Sequence, residues 1–198
     1  MVSNFYEKRL LVVISSPSGA GKTTVCKNII KLDKNIKLSI SDTTRKPRDN
    51  ENNGIDYNFL TIDKFKQKIK ERKFLEYAKV FENFYGSSSE TVEDFLKSGY
   101  DVLFDIDWQG ANQISRNNFA NLVKIFISAP SENAVYERLK KRSIQTGDDN
   151  QSIIKRMSQY KEEMSHSIDY NYVIVNENID KCTNDVLKII NSEREKLN

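Results

Sequence analysis

Residues 10–24 read Leu10-Leu11-Val12-Val13-Ile14-Ser15-Ser16-Pro17-Ser18-Gly19-Ala20-Gly21-Lys22-Thr23-Thr24, and this stretch decides the fold. An apolar run over residues 10–14 gives way to a short glycine-containing turn, which opens a helix predicted over residues 22–32. Strand, glycine-bearing turn and helix in that order are the context of a phosphate-binding P-loop. Gly19 and Gly21 let backbone N–H groups turn toward a phosphate, and the helix N-terminus adds a favourable dipole. Lys22 reaches the terminal phosphates, and Thr23 offers a hydroxyl to Mg²⁺. Ser16 stands where the usual spacing has its first glycine, which costs some backbone freedom but leaves Gly19, Gly21, Lys22 and Thr23 intact. The plain alternative is a helix start that binds nothing.

Outward from this stretch the chain continues to alternate. Strands are predicted over residues 10–15, 101–106, 122–127 and 172–175, with helices over 109–115, 131–142 and 151–164 between them. In the last helix Ile179, Cys182, Val186, Leu187 and Ile190 share one face. Such alternation predicts an α/β fold with a mostly parallel sheet flanked by helices. Residues 35–89 break the rhythm: strands over 37–41, 55–60 and 74–84, with one short helix carrying Ile62, Phe65 and Ile69, predict a small, mainly β insertion. Residues 143–150 read as an irregular, solvent-facing link between two basic helices.

The composition narrows the class. In 198 residues, 38% hydrophobic and 30% charged side chains supply a core and a soluble surface, which argues for one domain and against disorder. A membrane span needs about 20 apolar residues in succession and a secretory leader needs an apolar segment before a cleavage site; neither pattern is found, and a cytoplasmic protein is expected. The net charge of +3 comes from 31 basic and 28 acidic residues with interspersed signs, a poor match to nucleic-acid binding. Cys26 and Cys182 lie in helical apolar patterns and read as buried thiols.

Two further motifs carry chemistry. Val102-Leu103-Phe104-Asp105-Ile106-Asp107 puts two carboxylates on one face at the end of a strand. One of the two, Asp105 or Asp107, could hold a water of a Mg²⁺ shell, and the other is then free for substrate, the alternative being that such residues cap the next helix. Thr44-Arg45-Lys46-Pro47-Arg48 flanks a stiff proline with two guanidinium groups, which bind phosphate dianions bidentately.

Taken in order, these motifs resemble the guanylate kinase family. The resemblance rests on residues 39–48 (Ser39-Ile40-Ser41-Asp42-Thr43-Thr44-Arg45-Lys46-Pro47-Arg48) and on Gly54-Ile55-Asp56-Tyr57-Asn58-Phe59. It continues through Phe74-Leu75-Glu76-Tyr77-Ala78, Tyr85-Gly86-Ser87, Asp105-Ile106-Asp107-Trp108-Gln109-Gly110 and Ile174-Val175-Asn176. It implies a P-loop kinase fold with a core of residues 8–35, 97–130 and 169–198, a GMP-binding region over 36–96 and a helical lid over 131–168. It also implies transfer of the γ-phosphoryl group of MgATP to GMP and dGMP, giving ADP and GDP, with Mg²⁺ as the metal.

The resemblance assigns roles residue by residue. Glu76 accepts from guanine N1–H and the exocyclic amine; adenine lacks that N1–H and would leave the carboxylate unpaired. Ser41, Ser87 and Asp107 complete guanine recognition, and Arg45, Arg48, Tyr57 and Tyr85 clamp the GMP phosphate. Ser16, Pro17, Ser18, Gly19, Ala20, Gly21, Lys22 and Thr23 hold ATP, with Asn176 on its adenine side. Lys22, Arg45, Arg138, Arg142 and Arg156 stabilise the transferring phosphoryl group, and Thr23 with Asp105 serves Mg²⁺, partly through water. The stretch between Arg142 and Arg156 is longer than the family pattern, with Ser143 in place of a common glycine.

His166, the single histidine, reads as a surface or lid-edge residue, because an ionised phosphate nucleophile needs no general base. Two other readings compete: a guanylate-kinase-like peptide-binding module of a scaffold protein, disfavoured by the intact Lys22, Thr23, Arg45, Arg48 and Glu76, and a kinase for another nucleotide or a sugar phosphate. ATP and GMP are the expected partners, with no membrane; a homo-oligomer stays open.

Overall fold

The apolar alternation of β1 (Leu11–Ser15) sorts the core into two halves. Leu10, Val12 and Ile14 face one side of the sheet and Leu11 and Val13 the other, all buried. The strand reads as a continuous apolar run because helices cover both faces. The structure, a computed structural model, describes residues 9–49, 51–146 and 149–197.

Five strands form the central sheet, in the order β2 (Ile36–Leu38), β7 (Asp101–Asp105), β1, β8 (Leu122–Ser128) and β9 (Tyr172–Val175), with every pairing parallel. On the Val12 face lie α1 (Lys22–Leu32), α5 (Glu132–Thr146), α6 (Asn150–Ser158) and α8 (Ile179–Glu195). The opposite face packs α3 (Ser89–Lys97) and α4 (Trp108–Ser115) against Phe104, whose truncation to alanine would cost about 3–5 kcal/mol. Arg194 of α8 bridges Asp33 and Asp101 at 2.6 Å each, and Asp101 also accepts the Leu10 N–H. That cross-link fixes the final helix to the beginning of the sheet.

The insertion is a second sheet in the order β4 (Asn58–Phe59), β3 (Asp42–Thr43), β6 (Asn83–Ser88) and β5 (Phe74–Val80), with α2 (Ile62–Lys70) laid on it. Phe65 of α2 stacks on Phe74 and Phe84 at ring separations of 4.6 and 5.4 Å. The remaining elements are α7 (Tyr160–Ser165) and a 3-10 turn, His166–Asp169.

Several sequence expectations are corrected. The strand predicted over 37–41 is β2 of the central sheet, and α3 packs on the core, so both ends of the 36–96 stretch lie with the core. The strand predicted over 74–84 is a hairpin: Phe81 turns the chain at φ 55° without the glycine or asparagine that would have signalled it. The strand predicted over 55–60 shrinks to β4, because a turn closed by Gly54 N–H on Tyr57 O precedes it. Phe65 alone of the α2 apolar set is buried, and Ile62 is exposed. The helix predicted over 151–164 breaks at Gln159 into α6 and α7. The predicted irregular link is helical through Thr146; its residues 147 and 148, like residue 8 of the expected core, lie outside the described residues. Cys26 and Cys182 are buried free thiols as expected, and burial pushes both above their ordinary range.

Candidate active site

The phosphate loop joins the end of β1 to α1. Gly19 and Gly21 take φ of 87° and 100°, a region closed to ordinary side chains, and a methyl on Gly21 would lie 2.5 Å from the Asn176 amide nitrogen. Thr61, Ser88, Asp107, Asp149 and Asn178 cap α2, α3, α4, α6 and α8 with their side chains; Gly21 gives α1 no such cap, and its first turn holds no acid. The positive end of α1 is therefore left for an external anion.

Parallel pairing of β1 with β7 sets Lys22 beside Asp105. Lys22 Nζ lies 2.6 Å from the Asp105 carboxylate and donates to Ile106 O at 2.9 Å. Burial works against the ammonium, yet the ion pair outweighs it and holds Lys22 above its ordinary value. Thr23 is exposed at the helix start. Thr23 and Asp105 offer hard oxygen donors of the kind that suits Mg²⁺ retaining most of its waters.

The loop is braced from the helical side. Asn176 donates to Ala20 O at 2.7 Å, while its own Oδ1 is buried without a partner. Arg138 donates to Ala20 O and Asn176 O, so it braces the loop from beneath. Arg156 reaches Ser18 Oγ at 3.1 Å, and Arg142 is half-buried one turn beyond Arg138 on α5. Thus the structure brings Arg156, and not Arg138, to the outer face of the loop. Two partners were missed in the sequence. Glu163 accepts the Ser18 N–H at 3.0 Å, and burial raises its carboxyl above the usual range. Nothing in its local pattern, a charged residue in a polar helix, marks it.

Across the cleft, Tyr85 on β6 meets Tyr57 edge to face at 6.0 Å, and the Arg45 guanidinium lies 5.3 Å from the Tyr57 ring centre. Burial pushes the Tyr57 phenol up to about 12. Glu51, the second missed residue, takes Arg45 at 2.9 Å and Arg48 at 3.4 Å on one oxygen and the Arg48 N–H on the other. Its carboxyl is held below its usual range by Arg45 and Arg48 despite partial burial. Both arginines thus converge on one carboxylate, as a phosphate would require. The spacing of Glu51 three residues past Arg48 was the available signal.

Deeper in the cleft Glu76 is 3% exposed and Ser87 fully buried, with Ser87 Oγ donating to Glu76 Oε1 at 2.6 Å. Burial pushes the Glu76 carboxyl up to about 7; the Ser87 hydrogen bonds oppose this and the Asp107 charge adds to it. Ser41 is buried just before β3, beside this pair of strands. Asp107 caps α4 through Gly110 N–H and also accepts from Gln109, so the capping alternative is realised there. His166 stacks on Trp108 at 3.7 Å, joining the helical segment to the start of α4.

The geometry amounts to an uncapped, lysine-bearing helix start facing an arginine pair and a buried acceptor. The family model of guanylate kinase matches residues 8–193. The chain is 48% identical to a guanylate kinase of Rickettsia felis over 96% of both chains, and 45% identical to one of Paramagnetospirillum magneticum over 93% of this chain and 85% of that relative. The crystal structure of guanylate kinase from Anaplasma phagocytophilum superposes with a TM-score of 0.78 at 33% identity, covering 94% of this chain and 86% of the other.

Proposed function

Since the chain belongs to the guanylate kinase family and is a kinase of the ATP-dependent, GMP-phosphorylating kind, we propose how its own residues divide that work, and that it accepts dGMP as well as GMP. The observation that carries the reading is the buried Glu76 and Ser87 pair, set on the insertion opposite the loop. An ionised Glu76 accepts from guanine N1–H and the exocyclic amine while Ser87 serves the O6 side; Ser41 and Asp107 complete the base site. Adenine leaves that carboxylate unpaired, which costs enough to discriminate.

Arg45, Arg48, Tyr57 and Tyr85 hold the acceptor phosphate in place of Glu51. The residues from Ser16 to Thr23 cradle ATP, and the open Oδ1 of Asn176 suits the adenine amine. Thr23 and Asp105 would hold Mg²⁺, partly through water, and the metal would supply charge neutralisation on the phosphates. Lys22, Arg45, Arg142 and Arg156 face the charge that spreads over the transferring group, Arg138 acts through the loop that it braces, and closure of the 131–168 lid excludes water. The acceptor oxygen is already ionised, so no side chain takes a proton. Among the described residues no helix is long and apolar enough to cross a membrane. We place the reaction in the cytoplasm, in purine nucleotide metabolism and GMP recycling.

The test is a base panel. Glu76→Gln should relax the preference for GMP over other monophosphates; an unchanged preference would remove the guanine assignment.

A further inference from the structure

Gly110 lies inside α4, where glycine costs about 1 kcal/mol relative to alanine. Its φ is not positive, so no turn explains it. A methyl group built on Gly110 would stand 2.5 Å from Glu76 Oε2, 3.1 Å from Glu76 Cδ and 3.2 Å from Ile106 Cδ1. Real Cβ atoms do not approach so closely, and the atom that would have to yield is the free end of the Glu76 side chain. Three separate features hold the two residues at this distance. The Asp107 carboxylate fixes the Gly110 N–H at 3.0 Å. One turn on, Gln113 donates to Tyr77 O at 2.6 Å and accepts Tyr77 N–H at 3.1 Å, so α4 grips the strand edge one residue from Glu76. A register shift between Phe74 and Glu76 re-aims the strand at this point.

We propose that Gly110 is a positioning residue for base selection: its bare Cα sets the depth of the Glu76 carboxylate, and the Asp107 cap with the Gln113 clamp holds the helix at that distance. Oε1 is taken by Ser87, so Oε2, the oxygen against Gly110, is the one a methyl would displace. The proposal rests on the guanine reading of Glu76 and extends it to a residue that touches no substrate.

The test compares Gly110→Ala, Glu76→Ala and the double variant in steady-state kinetics and thermal melting. G110A should raise the GMP KM about tenfold or more and narrow the GMP to AMP ratio, with the ATP KM unchanged. In the E76A background the added methyl should change neither GMP KM nor base preference. Melting keeps the question open to an answer where G110A folds poorly: the double variant should melt at or above E76A, because the crowding is gone and alanine favours the helix. A double variant that melts as far below E76A as G110A melts below the wild type would overturn the proposal, as would a G110A that shifts the ATP KM as much as the GMP KM. If E76A itself leaves the GMP KM unchanged, the guanine reading fails and the selection role with it; if E76A raises it and G110A does not, the positioning role alone fails.

Discussion

The Glu163 carboxylate accepts the Ser18 backbone N–H at 3.0 Å, so α7 places a negative side chain on the loop assigned to phosphate. A carboxylate there competes with an incoming phosphate oxygen and repels its charge. Glu163→Gln keeps an acceptor but removes the charge. It is expected to tighten ATP binding by roughly five- to tenfold, about the difference between a charge-assisted and a neutral hydrogen bond. Titration calorimetry of ATP into the unliganded variant checks this, and weaker binding would contradict it.

Glu76 titrates near 7 in the folded protein against an ordinary 4.5. The unfolded chain therefore releases this proton first as pH rises. Stability from the group is fully present below pH 4.5 and is lost between 4.5 and about 7, on the order of 3 kcal/mol in the unliganded protein. Denaturant melts across that window should show the loss in the wild type and not in Glu76→Gln. GMP affinity should move the opposite way, rising with pH through about 7, since only the carboxylate accepts two guanine donors.

Arg45 spends one guanidinium nitrogen on Glu51 and another on Lys46 O. An ammonium cannot make both contacts in one plane. Arg45→Lys is expected to raise the GMP KM about tenfold or more at an unchanged ATP KM, read by initial rates with each substrate varied.

Phe81 at φ 55° lies in the hairpin turn of the insertion, with Lys155 and Arg156 of α6 at 5.4 and 5.3 Å from its ring centre. Lys155 also pairs with Glu82 at 3.3 Å. This contact joins the insertion to α6. Phe81→Ala should weaken the effect of bound GMP on ATP affinity by a few-fold, a cation–π contribution of about 0.5–1 kcal/mol. Binding of ATP with and without GMP measures it.

The central sheet was legible because β1, β7 and β8 are apolar runs separated by helix-period segments, and α1 was delimited to the residue by Gly21, Lys22 and the loop. The hairpin was not, since Phe81 carries no turn signal and the chain around it alternates as one strand would. The α6 to α7 break at Gln159 likewise has no proline or glycine behind it. Lys22 and Asp105 stand out through motif and spacing, and Glu76 and Ser87 through the family resemblance alone; Glu163 was not legible because its contact with Ser18 forms only when distant segments meet, whereas Glu51 lies close to both its arginines in sequence but reads there as ordinary solvated charge.

The most direct test of the account is ADP formation from MgATP with each nucleoside monophosphate in turn, for the wild type, Lys22→Ala and Glu76→Ala. Turnover with GMP and no comparable turnover with AMP, CMP or UMP is predicted, falling about a hundredfold or more in Lys22→Ala and losing its base preference in Glu76→Ala. A folded wild type that turns over another monophosphate as well as GMP, or none of them, would contradict it.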